Sequence, residues 1–453
     1  MSQLIVSVSG IRGIVGETLT PAVVLQFAEA LGSYLGQGSR VALSRDNRPS
    51  GTMLGAAAAA GLLSVGSEVV DLGIATTPSV GVFVRENKLA GGIQISASHN
   101  PAPWNGLKLF GSDGAVLAPA EGKQVVNLFQ SQAFRRLQPV TSRSWHPVAS
   151  ENDPHSPLQL HARLAATQAN TEAVRRKGFR VFVDANGGAG GPLAVHLLQQ
   201  CLSCMVEGIG LHPSDSFAHI PEPTAENLAE IAPMVASKRC AVGFALDPDA
   251  DRLALMDDLG RYIGEELTLA LCLEYVLRKS RGTIVVNMST SRINEDLARQ
   301  YGCSIYRSAV GEANVVAMMR QHQAVLGGEG NGGVIDPRVG WVRDPFVAMG
   351  LVLSLMAEEN RPLSTLVDAL PQYVIQKDKY EVDPLKLPAL YESLIEKYPD
   401  ARVNRLDGLR LDWPDRWVHI RPSNTEPIVR VIAEAPRADQ AAELCQLVGA
   451  SLK

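Results

Sequence analysis

The sequence predicts an α/β protein with three similar α/β domains, built on parallel or mixed sheets, and a smaller α+β C-terminal domain. Short apolar and β-branched runs alternate with longer helical patterns up to residue 366, as in sheets covered by helices on both faces. Several of these runs end at Asp or Asn. From residue 367 onwards the pattern changes to that of short strands followed by one C-terminal helix. A chain of 453 residues is long enough for several domains.

The elements of the first domain, residues 1–150, follow from this alternation. Helices are predicted at 22–35 and 52–65, and strands at 41–44, 68–72 and 93–96. The residues between 138 and 157 contain four prolines among Ser, Asn, Asp and His, which favours a linker.

The remaining elements divide among three further domains. The second, residues 151–256, is predicted to contain a helix at 158–177 and strands at 180–183, 242–246 and 253–256. The third, residues 257–366, has a strand at 283–286. The fourth, residues 367–453, has strands at 417–420 and 429–433 and a helix from Ala438.

Composition excludes several classes of protein. Hydrophobic residues make up 46% and charged residues 20%, values that argue against wholesale disorder. Lys and Arg total 42 against 47 Asp and Glu, a net charge of −5. We therefore expect no binding to nucleic acid or to anionic membranes. A local basic pocket for a small anion remains compatible with this balance.

The cysteines and the apolar stretches indicate a cytoplasmic protein. Six cysteines include one C-x-x-C pair, Cys201 and Cys204, with no second pair near it, so we expect reduced thiols and no zinc site. No basic segment followed by an apolar run begins the chain, so a secretion signal is not expected. The apolar stretches 53–65 and 346–356 fall short of the roughly 20 residues that cross a bilayer.

The first chemical motif is the serine loop, Ser96-Ala97-Ser98-His99-Asn100-Pro101, which follows the strand at 93–96. A small hydroxyl at the end of a buried strand is exposed where open α/β sheets bind ligands. The alternative is an ordinary polar turn ended by Pro101. A hydrolase nucleophile elbow does not fit, because it needs glycine two residues to either side of Ser98.

The second motif is the acidic loop, Asp247-Pro248-Asp249-Ala250-Asp251-Arg252. Alternate side chains of an extended segment share a face, so three carboxylates converge and repel one another unless a hard cation such as Mg²⁺ lies between them. A solvated acidic loop is the alternative. An EF-hand is excluded, because Arg252 stands where that loop needs glycine and the flanks are predicted strands.

The third motif is the glycine-rich loop at 327–333, which carries Glu329 and Asn331. It lacks the Lys-Ser/Thr ending of a P-loop and the spacing of a dinucleotide site. One carboxylate and one amide suit sugar hydroxyls, and a flexible surface loop is the alternative.

The fourth motif is Arg421-Pro422-Ser423-Asn424-Thr425-Glu426-Pro427, with Arg430 nearby. Arginine binds phosphate through two parallel hydrogen bonds, and hydroxyls add donors. This motif predicts an anion cradle, with a β-turn as the alternative.

In this order the four motifs resemble the α-D-phosphohexomutase superfamily, which includes phosphoglucosamine mutase, phosphomannomutase and phosphoglucomutase. The resemblance covers nearly the whole chain. It also rests on Ser9-Gly10-Ile11-Arg12-Gly13, Asp46-Asn47-Arg48-Pro49-Ser50, Asn105-Gly106-Leu107-Lys108, Pro221-Glu222-Pro223-Thr224 and Glu226-Asn227-Leu228. It implies four domains around a central cleft.

The resemblance also implies roles. Ser98 is the phosphorylated serine, and Asp247, Asp249 and Asp251 hold Mg²⁺ together with its phosphate. Substrate binding falls to Arg12, Glu329, Asn331, Arg421, Ser423, Asn424, Thr425 and Arg430. His99 and Lys108 are candidates for the proton shuttle, with Arg252 holding charge.

The implied reaction interconverts a hexose 1-phosphate and its 6-phosphate through a 1,6-bisphosphate, which also serves as activator. The family's sugar loop commonly reads G-E-x-S-G-H, whereas Asn331 and Gly333 replace Ser and His here. We expect glucosamine phosphate as substrate, with glucose or mannose phosphate as the alternative. A sugar phosphomonoesterase using Ser98 is more remote, and a sugar-phosphate sensor would not need Ser98 and the three Asp.

Overall fold

The computed structural model describes residues 4–136, 145–147, 153–381, 386–422 and 428–452. It contains four sheets that follow one another along the chain, with seven, five, four and five strands. The first three sheets mix parallel and antiparallel pairs and are covered by helices, and the fourth is antiparallel throughout. The predicted fold class, three α/β domains and a smaller C-terminal domain, is confirmed.

The first sheet has the order β1-β2-β6-β5-β3-β4-β7. Its strands are β1 (Ile5–Ser7), β2 (Gly10–Ile14), β3 (Arg40–Arg45), β4 (Glu68–Ile74), β5 (Gly91–Ile95), β6 (Trp104–Gly111) and β7 (Trp145–Pro147). Its helices are α1 (Pro21–Leu35), α2 (Gly51–Ser64), α3 (Thr77–Glu86) and α4 (Pro119–Ser131).

The second sheet has the order β12-β11-β10-β8-β9. Its strands are β8 (Arg180–Asp184), β9 (Met205–Ile209), β10 (Val242–Leu246), β11 (Leu253–Asp257) and β12 (Tyr262–Gly264). The helices are α5 (Pro157–Ala166), α6 (Thr171–Lys177), α7 (Gly190–Val195), which continues into a π-helical turn (His196–Cys201), and α8 (Ala232–Ser237).

The third sheet has the order β14-β13-β15-β16. Its strands are β13 (Ile284–Asn287), β14 (Ile305–Ser308), β15 (Leu326–Glu329) and β16 (Gly333–Ile335). Its helices are α9 (Glu266–Lys279), α10 (Ile293–Gln300), α11 (Glu312–Gln321), α12 (Pro345–Glu359) and α13 (Leu363–Asp368).

The fourth sheet has the order β17-β21-β20-β19-β18. It contains β17 (Val374–Tyr380), β18 (Arg402–Asn404), β19 (Leu409–Asp412), β20 (Trp417–Pro422) and β21 (Val429–Ala435), with α14 (Leu387–Lys397) and α15 (Ala438–Leu452).

Three of the predicted site loops occupy the same topological position in their sheets. The serine loop joins β5 to β6, the acidic loop joins β10 to β11, and the glycine-rich loop joins β15 to β16. In each sheet the first strand of the pair runs parallel to an inner neighbour and the second runs antiparallel to the first. Each loop therefore leaves the carboxyl end of a parallel strand, where α/β sheets bind ligands.

The second and third domains share one hydrophobic core. Its centre is α12, which is apolar on nearly all sides and buried from Pro345 to Ala357. A helix that is apolar all round belongs in a protein interior, which explains the apolar stretch at 346–356. In the described part of the chain, no helix is both long and apolar enough to cross a membrane.

Two predicted segments differ from the structure. The helix predicted at 158–177 is two helices, α5 and α6, because the Asn170 side chain accepts from the N–H of Ala173 and caps a new helix. The Asn170 N–H in turn donates to Ser354 Oγ of α12 at 2.9 Å. Within the linker predicted between 138 and 157, Trp145–Pro147 form β7 beside β4, and residues 138–144 and 148–152 lie outside the described residues.

Candidate active site

The serine loop holds Ser98 in a constrained conformation. Ser98 has a φ of +52°, in the left-handed region of backbone conformations that residues other than glycine rarely adopt. Its N–H donates to Ser96 Oγ at 2.8 Å, and that hydroxyl donates to Asp46 Oδ2 at 2.7 Å. All three side chains are buried. These bonds stabilise a backbone shape that Ser98 alone would not prefer.

Arg48 lies beneath the serine loop and is almost completely buried. Its Nε lies 3.1 Å from Asp46 Oδ2. Its terminal nitrogens donate to three main-chain carbonyls of the loop, those of Ser98, Asn100 and Pro101, at 2.7, 2.7 and 2.9 Å, and to that of Trp104 at the start of β6 at 3.0 Å. The planar fork of a guanidinium can serve several acceptors at fixed angles. The loop is therefore wrapped around one arginine.

The acidic loop faces the serine across a short hydrogen bond. Ser98 Oγ donates to Asp247 Oδ2 at 2.6 Å. Asp247, Asp249 and Asp251 are fully buried, and one ligand oxygen from each lies within 4.8 Å of the others. Asp247 Oδ1 also accepts from the N–H of Asp251 at 3.0 Å and of Arg252 at 3.1 Å, which closes the loop.

Cationic side chains of the protein lie beside the carboxylates of this acidic loop. Lys108 Nζ lies 3.1 Å from Asp249 Oδ2 and 2.7 Å from Asp251 Oδ2, and Arg343 approaches the latter oxygen at 2.5 Å. Burial opposes the charged form of Asp251, yet Arg343 and Lys108 lower its pKa. Burial and the other two carboxylates raise the pKa of Asp247.

Two oxygens of the acidic loop have no partner. Asp249 Oδ1 and Asp251 Oδ1 are buried and accept no hydrogen bond from any described residue. An unpaired buried carboxylate oxygen is costly, and Mg²⁺ is bound by carboxylate oxygens of this kind. The donor set therefore fits Mg²⁺.

The remaining residues predicted near the reacting atoms lie around the serine loop. His99 Nδ1 is 3.2 Å from Ser98 Oγ, and burial, reinforced by Arg252 and Arg12, lowers the pKa of His99 to about 2. Burial opposes the charge on Lys108, but Asp249 and Asp251 raise the pKa of its ammonium.

Two predicted arginines flank the same loop. Arg12 NH1 donates to Asn100 Oδ1 at 2.6 Å. Arg252 NH1 is 3.9 Å from Glu222 Oε1, and Arg252 Nε is buried without a hydrogen-bond partner among the described residues. The structure therefore gathers the predicted catalytic residues around Ser98.

The glycine-rich loop is tied to the acidic loop. Glu329 Oε1 accepts from Asn287 Nδ2 at 2.8 Å and from the N–H of Gly311 at 3.0 Å, while Arg343 NH1 lies 3.3 Å from Glu329 Oε2. Arg343 thus joins Glu329 to Asp251 of the acidic loop. Asn331 Oδ1 is buried and has no partner among the described residues.

The glycines of this loop allow close packing against neighbouring elements, which does not fit the flexible surface loop that was the alternative prediction. Gly332 has a φ of +77°, and a Cβ there would lie 2.3 Å from the carbonyl oxygen of Leu253 in β11. A Cβ on Gly330 would lie 2.1 Å from Glu266 Oε1, and one on Gly333 2.3 Å from Cδ of Arg343. The loop is held against its neighbours on both sides.

The fourth motif is described only in part. Arg421 is buried, its Nε lies 3.1 Å from Asp407 Oδ2, and it stands opposite Arg430 in the pairing of β20 with β21. Ser423, Asn424 and Thr425 lie outside the described residues.

Comparison with known proteins assigns the chain to a family. The phosphoglucomutase/phosphomannomutase alpha/beta/alpha domains I, II and III match residues 3–136, 160–260 and 265–374. The C-terminal domain of that family matches residues 381–449. The chain belongs to the phosphoglucomutase/phosphomannomutase family. The predicted resemblance is confirmed, and the protein is an enzyme of the phosphohexomutase group.

Relatives and a solved structure match over nearly full length. The "Probable phosphoglucosamine mutase" of Methanopyrus kandleri is 34% identical, covering 96% of this chain and 95% of its own. The "Phosphoglucomutase/phosphomannomutase" of Thermococcus kodakarensis is also 34% identical, covering 97% and 96%. A crystal structure of a phosphoglucomutase/phosphomannomutase family protein from Burkholderia thailandensis is 27% identical, with a TM-score of 0.86 and coverage of 99% and 97%.

Three residues of the site have no role in the prediction made from the sequence. Arg48 lies in the motif Asp46-Asn47-Arg48-Pro49-Ser50, but the residues around it in the sequence do not indicate that it supports the serine loop. Arg343 approaches Asp251 from 92 positions further along the chain. Thr77 donates through Oγ1 to Asp249 Oδ2 at 2.5 Å from the start of α3. The last two contacts join residues of different domains, so no local pattern could reveal them.

Proposed function

We propose that this protein is a Mg²⁺-dependent phosphohexomutase that interconverts glucosamine 1-phosphate and glucosamine 6-phosphate through phosphorylated Ser98 and a 1,6-bisphosphate. The observation that carries the proposal is the pairing of the two loops. A constrained serine hydroxyl lies 2.6 Å from Asp247 Oδ2, beside two further carboxylates with unpartnered buried oxygens. Nucleophile and metal ligands are thus assembled at one point.

In the proposed reaction, the phosphorus–oxygen bond at Ser98 Oγ breaks as a new bond forms to the free hydroxyl of the sugar phosphate. The proton of that hydroxyl passes to His99, whose imidazole is neutral, while Lys108, kept as an ammonium by Asp249 and Asp251, serves the shuttle as the proton donor. The bisphosphate then turns in the cleft, and its other phosphoryl group returns to Ser98 while the proton is given back. Mg²⁺ held by Asp247, Asp249 and Asp251 with the serine phosphate would neutralise charge during transfer.

The proposed subsites place the two ends of the substrate apart. Glu329 and Asn331 read the sugar hydroxyls, while Arg421, with Arg430, Ser423, Asn424 and Thr425, binds the phosphate that does not react. Arg12 binds substrate beside Asn100. Binding a remote phosphate holds the reacting end in place, so it contributes to the rate as well as to affinity.

Glucosamine phosphate is proposed on two grounds. The names of several relatives include phosphoglucosamine mutase, among them the Methanopyrus kandleri protein. The amide of Asn331 has an unpartnered buried oxygen and can accept from an amine or a hydroxyl. Glucose and mannose phosphates are the second candidates, because the Thermococcus kodakarensis relative named phosphoglucomutase/phosphomannomutase is equally similar.

The test is kcat/KM for glucosamine 6-phosphate, glucose 1-phosphate and mannose 1-phosphate, with added 1,6-bisphosphate, in the wild type and in Asn331→Ala. We expect the highest value for glucosamine phosphate and the largest loss on that substrate in the variant. Turnover of a hexose phosphate without turnover of glucosamine phosphate would make the enzyme a phosphoglucomutase/phosphomannomutase. Release of free phosphate in place of isomerised product would indicate a phosphomonoesterase.

A further inference from the structure

Three consecutive residues at the start of α11 each hold a different part of the site. The N–H of Gly311 donates to Glu329 of the glycine-rich loop at 3.0 Å. The carboxylate of Glu312 accepts from the N–H of Arg343 at 3.0 Å and from its Nε at 3.2 Å, and this arginine reaches the acidic loop. The N–H of Val310 donates at 2.9 Å to Asp407 Oδ2, which belongs to the C-terminal domain.

Asp407 also contacts the arginine proposed to bind the remote phosphate. The same oxygen, Oδ2, lies 3.1 Å from Arg421 Nε. Asp407 sits in the turn between β18 and β19, where Gly408 has a φ of +75°. A Cβ on Gly408 would lie 2.3 Å from the carbonyl oxygen of Ile420. The turn is therefore pressed against the strand that carries Arg421.

A buried histidine fixes the main chain of Asp407. His419 is fully buried in β20, two residues before Arg421. Its Nε2 lies 2.6 Å from the carbonyl oxygen of Asp407, and its Nδ1 lies 2.9 Å from Ser289 Oγ of the third domain. Both the side chain and the main chain of Asp407 are thus held at the boundary between the two domains.

We propose that Asp407 is a positioning residue that fixes the guanidinium of Arg421 relative to the sugar-reading Glu329. The proposal rests on the proposed function, in which Arg421 binds the phosphate that does not react. The ion pair with Asp407 is made by Nε, which has no hydrogen bond to a described residue, so this contact does not occupy the two terminal nitrogens. Two parallel bonds to a phosphate require those nitrogens in a fixed plane. Asp407 fixes the plane of the Arg421 guanidinium. The neighbouring N–H groups of Val310 and Gly311 fix the positions of Asp407 and Glu329 relative to each other.

Positioning and simple charge predict opposite effects at Asp407. A carboxylate beside a phosphate site repels the phosphate, so neutralising it would tighten binding if charge alone mattered. If Asp407 acts by holding Arg421, neutralising it frees the guanidinium and weakens binding. Asp407→Asn separates the two cases, because it keeps the size and an acceptor oxygen for the N–H of Val310.

The experiment is calorimetric binding of glucosamine 6-phosphate with Mg²⁺ to the full chain carrying Ser98→Ala, which prevents turnover. Asp407→Asn, Arg421→Ala and their combination are added to that background. Asp400→Asn, an exposed carboxylate of the same domain that accepts from Trp413 Nε1, is the matched control. Thermal melting of each variant confirms that it is folded.

We expect Asp407→Asn to weaken binding about tenfold and Arg421→Ala more, while Asp400→Asn leaves it unchanged. The double variant should bind no more weakly than Arg421→Ala alone, because Asp407 acts through Arg421. Equal or tighter binding in Asp407→Asn, or additive losses in the double variant, would overturn the proposal. An Arg421→Ala protein with unchanged affinity would overturn the phosphate role of Arg421 itself, which is a separate failure.

Discussion

The serine loop and the acidic loop lie 2.6 Å apart at Ser98 Oγ and Asp247 Oδ2, yet they differ in how their polar groups are paired. In the serine loop, Arg48 and Ser96 form hydrogen bonds with main-chain groups, and these bonds hold the left-handed conformation of Ser98. In the acidic loop, three buried carboxylates are brought together and two of their oxygens are left unpaired. One loop is held by hydrogen bonds within the protein, and the other has carboxylate oxygens that suit a cation.

The difference shows how the two loops divide the work. Positioning a nucleophile requires a rigid frame, and buried hydrogen bonds to one arginine provide it. Binding a cation requires negative charge that is not already neutralised, so protein groups must balance the carboxylates only in part. Lys108 and Arg343 both approach Asp251 Oδ2, which leaves the unpaired oxygens of Asp249 and Asp251 available.

The largest expected effect is at Ser98 itself. Ser98→Ala should lower kcat by at least about ten-thousandfold, because it removes the hydroxyl that we propose carries the phosphoryl group. Intact mass after incubation with a hexose 1,6-bisphosphate should show one phosphate on the wild type and none on the variant. A wild type that never carries phosphate would contradict the covalent mechanism.

The next largest effect is at Asp249. Asp249→Asn should lower kcat roughly a thousandfold by weakening Mg²⁺ binding. Adding Mg²⁺ should raise the melting temperature of the wild type and leave the variant nearly unchanged. If EDTA changes neither the activity nor the melting temperature of the wild type, the acidic loop does not bind a functional cation.

Substitution of Arg48 tests whether its hydrogen bonds hold the serine loop. Lysine keeps the charge but cannot reach four carbonyls at once, so Arg48→Lys should let the serine loop relax and lower kcat roughly a hundredfold. Mg²⁺ should still stabilise this variant, because the acidic loop is intact. Arg40→Lys, at an exposed position of the same domain, is the control and should be neutral. Loss of metal stabilisation in Arg48→Lys would show that the two loops are not independent.

The smallest effect is expected at Thr77. Thr77→Val keeps the shape and removes one hydrogen bond to Asp249 Oδ2, where Lys108 remains as a partner. We expect a loss of less than about tenfold in kcat, with a modest rise in the Mg²⁺ concentration needed for half-maximal activity. A loss as large as that of Asp249→Asn would mean that this hydroxyl, and not the carboxylate count, controls the metal site.

The sequence predicted the loops but not the residues that hold them. The serine and acidic loops are short, contiguous and placed directly after strands, so strand ends and residue types were enough to find them. Arg343 and Asp407 act across domain boundaries, on partners 92 and 97 positions away. Such contacts depend on how domains pack, which no local pattern encodes. For the same reason, the sequence left a flexible surface loop open as an alternative at 327–333, although Gly330, Gly332 and Gly333 each lie where a Cβ would collide with a neighbour.

The shared position of the three loops has an evolutionary consequence. If the three α/β domains descend from one duplicated unit, each copy arrived with a ligand-binding loop already at the carboxyl end of a parallel strand. Divergence then required only a few substitutions in each copy, to a serine in one, to aspartates in the next and to a glutamate and an amide in the third. A new sugar preference would arise in the third copy by the same route, without disturbing the proposed nucleophile or the proposed metal ligands of the other copies.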